Sequence, residues 1–139
     1  MIADPTGRIF ERAVGQWLQA AHGYRVQFRV PVRAKCAARG YEVDVIASKA
    51  ALLSERQVWV ECKAGKKPVK RNSVHTLAGQ VADVLGLNHT FTTDWVPDEC
   101  WMFSASGFDY DALNIARKHA IRCFVPHNGD WAAFQEVVD

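Results

Sequence analysis

The chain has 139 residues, 49% of them apolar and 23% charged: enough for one hydrophobic core, and too apolar for wholesale disorder. Seventeen Lys and Arg stand against fifteen Asp and Glu, a net charge of +2, which excludes a uniformly basic nucleic-acid coat and an acidic tail protein. No stretch approaches the roughly 20 apolar residues of a membrane span, and the first residues show no basic segment followed by an apolar one, so no secretory leader is read there.

Residues 7–22 place Ile9, Phe10, Ala13, Val14, Trp17, Leu18 and Ala21 at three- and four-residue steps. That is the stripe of an amphipathic helix, with Thr6 as its N-cap and Gly23 as its stop. Residues 24–32 alternate: Tyr24, Val26, Phe28 and Val30 face one way, Arg25, Gln27 and Arg29 the other, in a half-exposed strand edged by Pro31. A basic loop over 32–40 leads to a strand at 41–47, and a third strand follows at 57–64 after a turn. The connection 65–71 is basic. A helix capped by Asn72 or Ser73 then runs over 72–87, with Val74, Leu77, Ala78, Val81, Val84 and Leu85 as its apolar face. A loop over 89–98 precedes an apolar, hence central, strand at 100–105. A helix opened by Asp109 or Asp111 and a short strand at 121–125 complete the order α-β-β-β-α-β-α-β. That order calls for an α/β fold with a mixed central sheet flanked by helices, in a single domain over 1–139. Trp17, Trp59, Trp101 and Phe103 fall in core patterns, while Trp95 either anchors its loop, stacks on a base or packs at a subunit interface. The four cysteines (Cys36, Cys62, Cys100, Cys123) form no C-x-x-C pair, so the expectation is a cytoplasmic protein with reduced thiols.

The chemistry-bearing residues lie on the second and third strands, Tyr41-Glu42-Val43-Asp44-Val45-Ile46-Ala47 and Val58-Trp59-Val60-Glu61-Cys62-Lys63. Strand side chains alternate faces, so Glu61 and Lys63 share one. If Asp44 sits opposite Glu61, the turn centres between Leu52 and Leu53. Asp44, Glu61 and Lys63 then cluster on one face, with Val43, Val45, Val60 and Cys62 on the other. Adjacent carboxylates repel unless compensated. A divalent cation compensates them, and Mg²⁺ takes one or two carboxylates together with water and phosphate oxygens. A lysine beside them can orient or help deprotonate a water. Hairpins also carry such charges on solvent faces as weak ion pairs. Here, however, they interrupt strongly apolar strands of the kind that is buried, where a charge needs a reason.

With these residues in this order, the sequence resembles the restriction-endonuclease-like, or PD-(D/E)xK, nucleases, and most closely the Mrr-type catalytic domain. The resemblance covers about residues 7–126. It rests on Gly7-Arg8-Ile9-Phe10-Glu11, on Glu42-Val43-Asp44-Val45-Ile46-Ala47 and Val58-Trp59-Val60-Glu61-Cys62-Lys63, on the helix carrying Gly79-Gln80, and on Phe103-Ser104-Ala105-Ser106-Gly107-Phe108 before the final helix and strand. It implies a restriction-endonuclease-like fold and a metal-dependent endodeoxyribonuclease. In that reading Asp44, Glu61 and the Cys62 carbonyl hold Mg²⁺ (or Mn²⁺), and Lys63 positions the attacking water and stabilises charge on the scissile phosphate. Glu11 matches the first-helix acid that supports such metal sites; read by itself it is equally a glutamate paired with a neighbouring arginine. Gln80 matches a helix position that can approach the site, or else is an exposed helix glutamine. Mrr-type enzymes usually carry a separate DNA-recognition domain, and no such element is read here. Archaeal Holliday-junction resolvases share the first-helix Glu and the Asp…Glu-x-Lys strands but match the final third less well. A non-catalytic nuclease-fold module, binding nucleic acid or a protein partner, is the alternative from another class.

Two runs flank the trio in sequence. Arg25, Arg29, Arg33, Lys35 and Arg39 form one, and Lys63, Lys66, Lys67, Lys70 and Arg71 the other, with no acid inside either. They are solvated loops or phosphate contacts, and the adjacent motif favours DNA phosphates for Arg29, Arg33, Lys35, Arg39, Lys66, Lys67, Lys70 and Arg71. The near-neutral total hides a division: 14 basic and 6 acidic residues lie in 1–71, 3 and 9 in 72–139. Cutting both strands of a duplex needs two sites, so a homodimer is expected. Sequence specificity must come from loops or a separate partner protein.

Overall fold

A computed structural model of the chain describes residues 4–87 and 94–138. The elements are α1 (Arg8–His22), β1 (Arg25–Val32), β2 (Tyr41–Ala50), β3 (Glu55–Lys63), α2 (Arg71–Leu85), β4 (Glu99–Ser104), α3 (Tyr110–Lys118), β5 (Ile121–His127) and β6 (Asp130–Glu136). The strands form one mixed sheet in sequence order. β3–β4 and β4–β5 are parallel, joined by the α2 and α3 crossovers; the other pairs are antiparallel. This is the α/β, restriction-endonuclease-like architecture expected from the sequence, with one correction: the expected order stopped at β5, and β6 follows it. Asn128 and Gly129, at φ +53° and +75°, form the two-residue turn that folds β6 back on β5. Asn-Gly is the pair such a turn selects, so the signal was present in the sequence. Of the loop expected over 89–98, residues 88–93 lie outside the described residues.

Helices cover both faces. α1 lays Phe10, Val14 and Leu18 on Val45, Val58, Val60 and Phe103. α2 and α3 bring Val74, Leu77, Val84, Ala112 and Ala116 to Ile46, Trp59 and Met102 on the other face. Each fully buried large apolar side chain contributes about 1.5–3 kcal/mol, so these two cores fix how the helices sit on the sheet. Ile9 and Leu85, expected in the apolar stripes, lie at their margins, 45% and 40% exposed. Gly15 lets α1 approach β1, since a Cβ there would stand 2.5 Å from the Phe28 ring. Trp95 is a loop anchor: its Nε1 donates to Gln57 Oε1 at 3.0 Å and its ring lies 6.2 Å from that of Trp59.

Two caps differ from expectation. Gly7 holds the N-cap position of α1; the first-turn amides of Ile9 and Phe10 donate to the Asp4 carboxylate, at 3.1 and 2.9 Å, and Thr6 Oγ1 accepts from the Arg8 amide at 3.4 Å. α2 begins at Arg71 with no side-chain cap, one turn-residue ahead of Asn72 and Ser73. Asp109 caps α3 as expected, accepting from the Ala112 amide at 2.8 Å.

The strand alternation breaks once, and the break positions the site. Tyr24, Val26, Val45 and Ala47 pack on the α1 side, but Val30, Val32 and Val43 pack on the α2 side. The expectation that Val30 follows Tyr24 and Val43 follows Val45 is therefore corrected. Phe28–Val45 and Val30–Val43 are paired, while Arg29 and Asp44, which face each other between them, are not. Arg29 has φ +52°, a left-handed conformation that costs on the order of 1–3 kcal/mol in a non-glycine residue and rotates the strand onto its other face. Among the described residues no helix is long and apolar enough to cross a membrane, and all four cysteines are free thiols.

Candidate active site

The β2–β3 hairpin sets Asp44 against Glu61. Val45 pairs with Val60 and Ala50 with Glu55, so the turn centres between Leu52 and Leu53. Ladder pairing stops at Val45–Val60. Beyond it the Cys62 amide donates to Asp44 Oδ2 at 2.9 Å. The carboxylate thus takes the place of a strand carbonyl and leans toward β3. Lys63 Nζ lies 3.5 Å from Glu61 Oε2. Asp44, Glu61, Cys62 and Lys63 line an open cleft of about 380 Å³ together with Glu11 and Arg29.

Electrostatics make this cleft unusual. Burial first and the Asp44 charge second push the Glu61 carboxyl up to about 7, with Lys63 opposing. Burial also raises Asp44, against the Cys62 amide, Lys63 and Arg29. Glu11, 6% exposed, is raised by burial and then by Asp44, with Arg29 opposing. Three carboxyls held above their ordinary values share a cleft with two cations, so the cleft is short of positive charge. Burial and the same carboxylates push the Cys62 thiol far up, and its side chain packs into the α1-side core. The donors left are hard oxygens, which suit Mg²⁺ or Mn²⁺ rather than zinc. Among the described residues no three His, Cys, Asp or Glu side chains form a group that could hold an ion by themselves. The pair Asp44 and Glu61, with the Cys62 backbone, has the protein-donor number that Mg²⁺ accepts while keeping its waters.

The other residues singled out in the sequence fall in different places. Glu11 is buried in the cleft and paired with an arginine as well: Arg29 Nη2 lies 3.1 Å from Glu11 Oε2, and Arg29 Nη1 3.0 Å from Glu42 Oε1. Arg29 is thereby turned inward. Gln80 lines a second cleft of about 280 Å³ with Glu61 and Lys63. Glu11 belongs to α1 and Gln80 to α2, on opposite faces of the sheet, so the two clefts meet only at Glu61 and Lys63. Arg33 pairs with Asp94 at 3.2 Å. Lys35, Arg39, Lys66, Lys67, Lys70 and Arg71 are exposed. The loop following β3 is tied down where the Val69 amide donates to the Gly107 carbonyl at 2.9 Å.

Two features escaped the sequence reading. Asp83 of α2 clamps the first basic loop, accepting from the Cys36 and Ala37 amides at 2.7 and 3.1 Å and from the Tyr41 hydroxyl at 2.8 Å. No local pattern announces such a long-range contact. Asn72, Thr76 and Gln80 share one face of α2 in the second cleft; their four-residue spacing was legible, but not which end of the sheet they face.

The model of the restriction endonuclease family Mrr_cat matches residues 2–124 of the chain. No curated protein matches it. Among solved structures, the crystal structure of a protein of unknown function, AF1548, superposes with a TM-score of 0.64 at 21% identity, covering 84% of this chain and 58% of that one. The DNA modification-dependent restriction endonuclease AspBHI is similar with a TM-score of 0.44 at 13% identity, covering 88% of this chain and 33% of its own. The likeness to AF1548 is one of fold, and the chain spans little more than half that protein's length.

Proposed function

Because the chain belongs to the restriction endonuclease family Mrr_cat, we propose that its first cleft hydrolyses DNA phosphodiester bonds endonucleolytically with Mg²⁺ or Mn²⁺. The observation that supports this most is the parted end of the β2–β3 hairpin, where Asp44 leans onto the Cys62 amide beside Glu61 and Lys63 stands 3.5 Å from Glu61. Asp44, Glu61 and the Cys62 carbonyl would hold the ion, which when bound supplies Lewis-acid stabilisation of charge at the phosphate. Lys63 orients the attacking water and meets the charge that develops on the scissile phosphate. Glu11, held by Arg29, keeps a third carboxylate at the cleft wall. The exposed Lys66, Lys67, Lys70 and Arg71 on one side, and Lys35 and Arg39 on the other, bind flanking phosphates. Cleavage of both strands calls for a second copy of the site, which a homodimer supplies, and sequence choice falls to a further domain or partner protein.

The test is incubation of the protein with Mg²⁺ or Mn²⁺ and supercoiled, linear, methylated and four-way-junction DNA, with Asp44→Asn in parallel. Divalent-dependent cutting by the wild type that Asp44→Asn abolishes is the expected result. No cutting of any substrate, or equal cutting by the variant, overturns the reading, and cutting confined to the junction reassigns it to a structure-selective resolvase.

A further inference from the structure

The second cleft, between β3 and α2, differs in character from the first. Its lining from α2 is uncharged and mostly polar: Asn72 and Gln80 carry amides, Ser73 and Thr76 hydroxyls, and Leu77 adds one apolar side chain. Asn72, Thr76 and Gln80 stand at four-residue steps, one above the other on the helix. Among the described residues, none of these four side chains hydrogen-bonds to another group of the protein. Two amides and two hydroxyls therefore present their full donor and acceptor capacity to whatever enters. Among the described residues, the charges lining the cleft are Glu61 and Lys63, 3.5 Å apart and mutually compensating. A phosphate would find little net attraction here, whereas the edge of a nucleobase and the hydroxyl or ether oxygens of a sugar would find matched partners. At about 280 Å³ the space sits just below the range of small-molecule sites, and suits a single nucleoside.

Because the two clefts meet at Glu61 and Lys63, a strand whose scissile phosphate sits on that ridge sends a neighbouring nucleoside into the second cleft. We propose that the β3–α2 cleft seats one unstacked nucleoside next to the scissile phosphate, with Asn72, Ser73, Thr76 and Gln80 contacting its base edge and sugar. This rests on the nuclease reading and adds a substrate class to it: a strand that is single, branched or distorted at the cut gives up a base from its stack at lower cost than an intact duplex.

The test uses a single-stranded oligonucleotide containing 2-aminopurine, whose fluorescence is quenched by stacking. Binding is followed with Mg²⁺ in an Asp44→Asn background, which removes cutting and leaves the second cleft intact. The expected result is a several-fold rise in fluorescence on binding. Adding Thr76→Phe, which fills the cleft from an exposed helix position, abolishes that rise while the salt dependence of affinity stays the same, because no phosphate contact is touched. Thr76→Val, close to isosteric, weakens the rise and guards against a folding defect in the larger variant. A rise equal in all three proteins, or none in any, overturns the proposal. If the unmodified protein also cuts DNA, only the nucleoside seat falls; if it neither binds nor cuts any substrate, the nuclease reading falls with it.

Discussion

Arg29 decides more about the site than its exposure suggests. It connects α1, β1 and β2 at the cleft wall: it sits on β1 in a left-handed conformation, faces Asp44, and donates to Glu11 at 3.1 Å and Glu42 at 3.0 Å. To reach a DNA phosphate it would have to leave a buried carboxylate. Replacing it with Gln strands Glu11, and the lost charged hydrogen bonds lower stability by about 1.5–3 kcal/mol in urea denaturation. The slope of log affinity against log salt stays unchanged, whereas Lys66→Gln reduces it by about one. An equal reduction with Arg29→Gln would show that Arg29 contacts phosphate after all.

At the scale of elements, the hairpin was legible and its deformation was not. Apolar strands broken by Asp44, Glu61 and Lys63 allowed one sensible register, and Val45–Val60 pairing realises it. The exchange of faces at Arg29 and Asp44 depends on a backbone angle that side-chain alternation does not encode. The start of α1 is shared: Thr6 takes the Arg8 amide, and the Asp4 carboxylate reaches the Ile9 and Phe10 amides at once. β6 could have been read from Asn128-Gly129, and the alternation of its short strand was simply weak. The first basic loop shows the same limit, since its shape depends on Asp83, 47 residues from Cys36. The Cys36 amide, with the Tyr41 hydroxyl and Ala37 amide, holds the Asp83 carboxyl below its ordinary 3.8. A lowered folded-state value contributes stability above the unfolded value, which is lost as pH falls through the folded one. The pH-dependent shift of the Cys36 amide resonance should therefore have its midpoint below 3.8. Asp83→Asn should speed hydrogen exchange at Cys36 and Ala37 while leaving the β2–β3 amides protected; unchanged exchange at both would mean the loop is held by something else.

Across the whole molecule, charge and topology coincide. β1 ends, β2 begins and β3 ends at the same end of the sheet; the second basic loop leaves beside the cleft, while the first is drawn to the C-terminal end of α2 by Asp83. Of the 14 basic residues of 1–71, Arg29 and Lys63 line the cleft and Lys66, Lys67, Lys70 and Arg71 follow it in the chain, and the acidic surplus of 72–139 belongs to the later elements. Such a division favours one approach of a polyanion and disfavours others. Replacing Lys66, Lys67 and Lys70 together by Gln should lower the salt slope of DNA binding by up to ~0.9 per residue without changing the rate at saturation. The central claim, that the parted end of the hairpin is the catalytic centre, is tested most directly by the single-turnover rate of Lys63→Ala on saturating DNA with Mg²⁺. The rate should fall by about 10²–10³, as for removal of one charge-stabilising donor, while DNA affinity changes little. A Lys63→Ala protein that cuts at the wild-type rate would contradict the assignment.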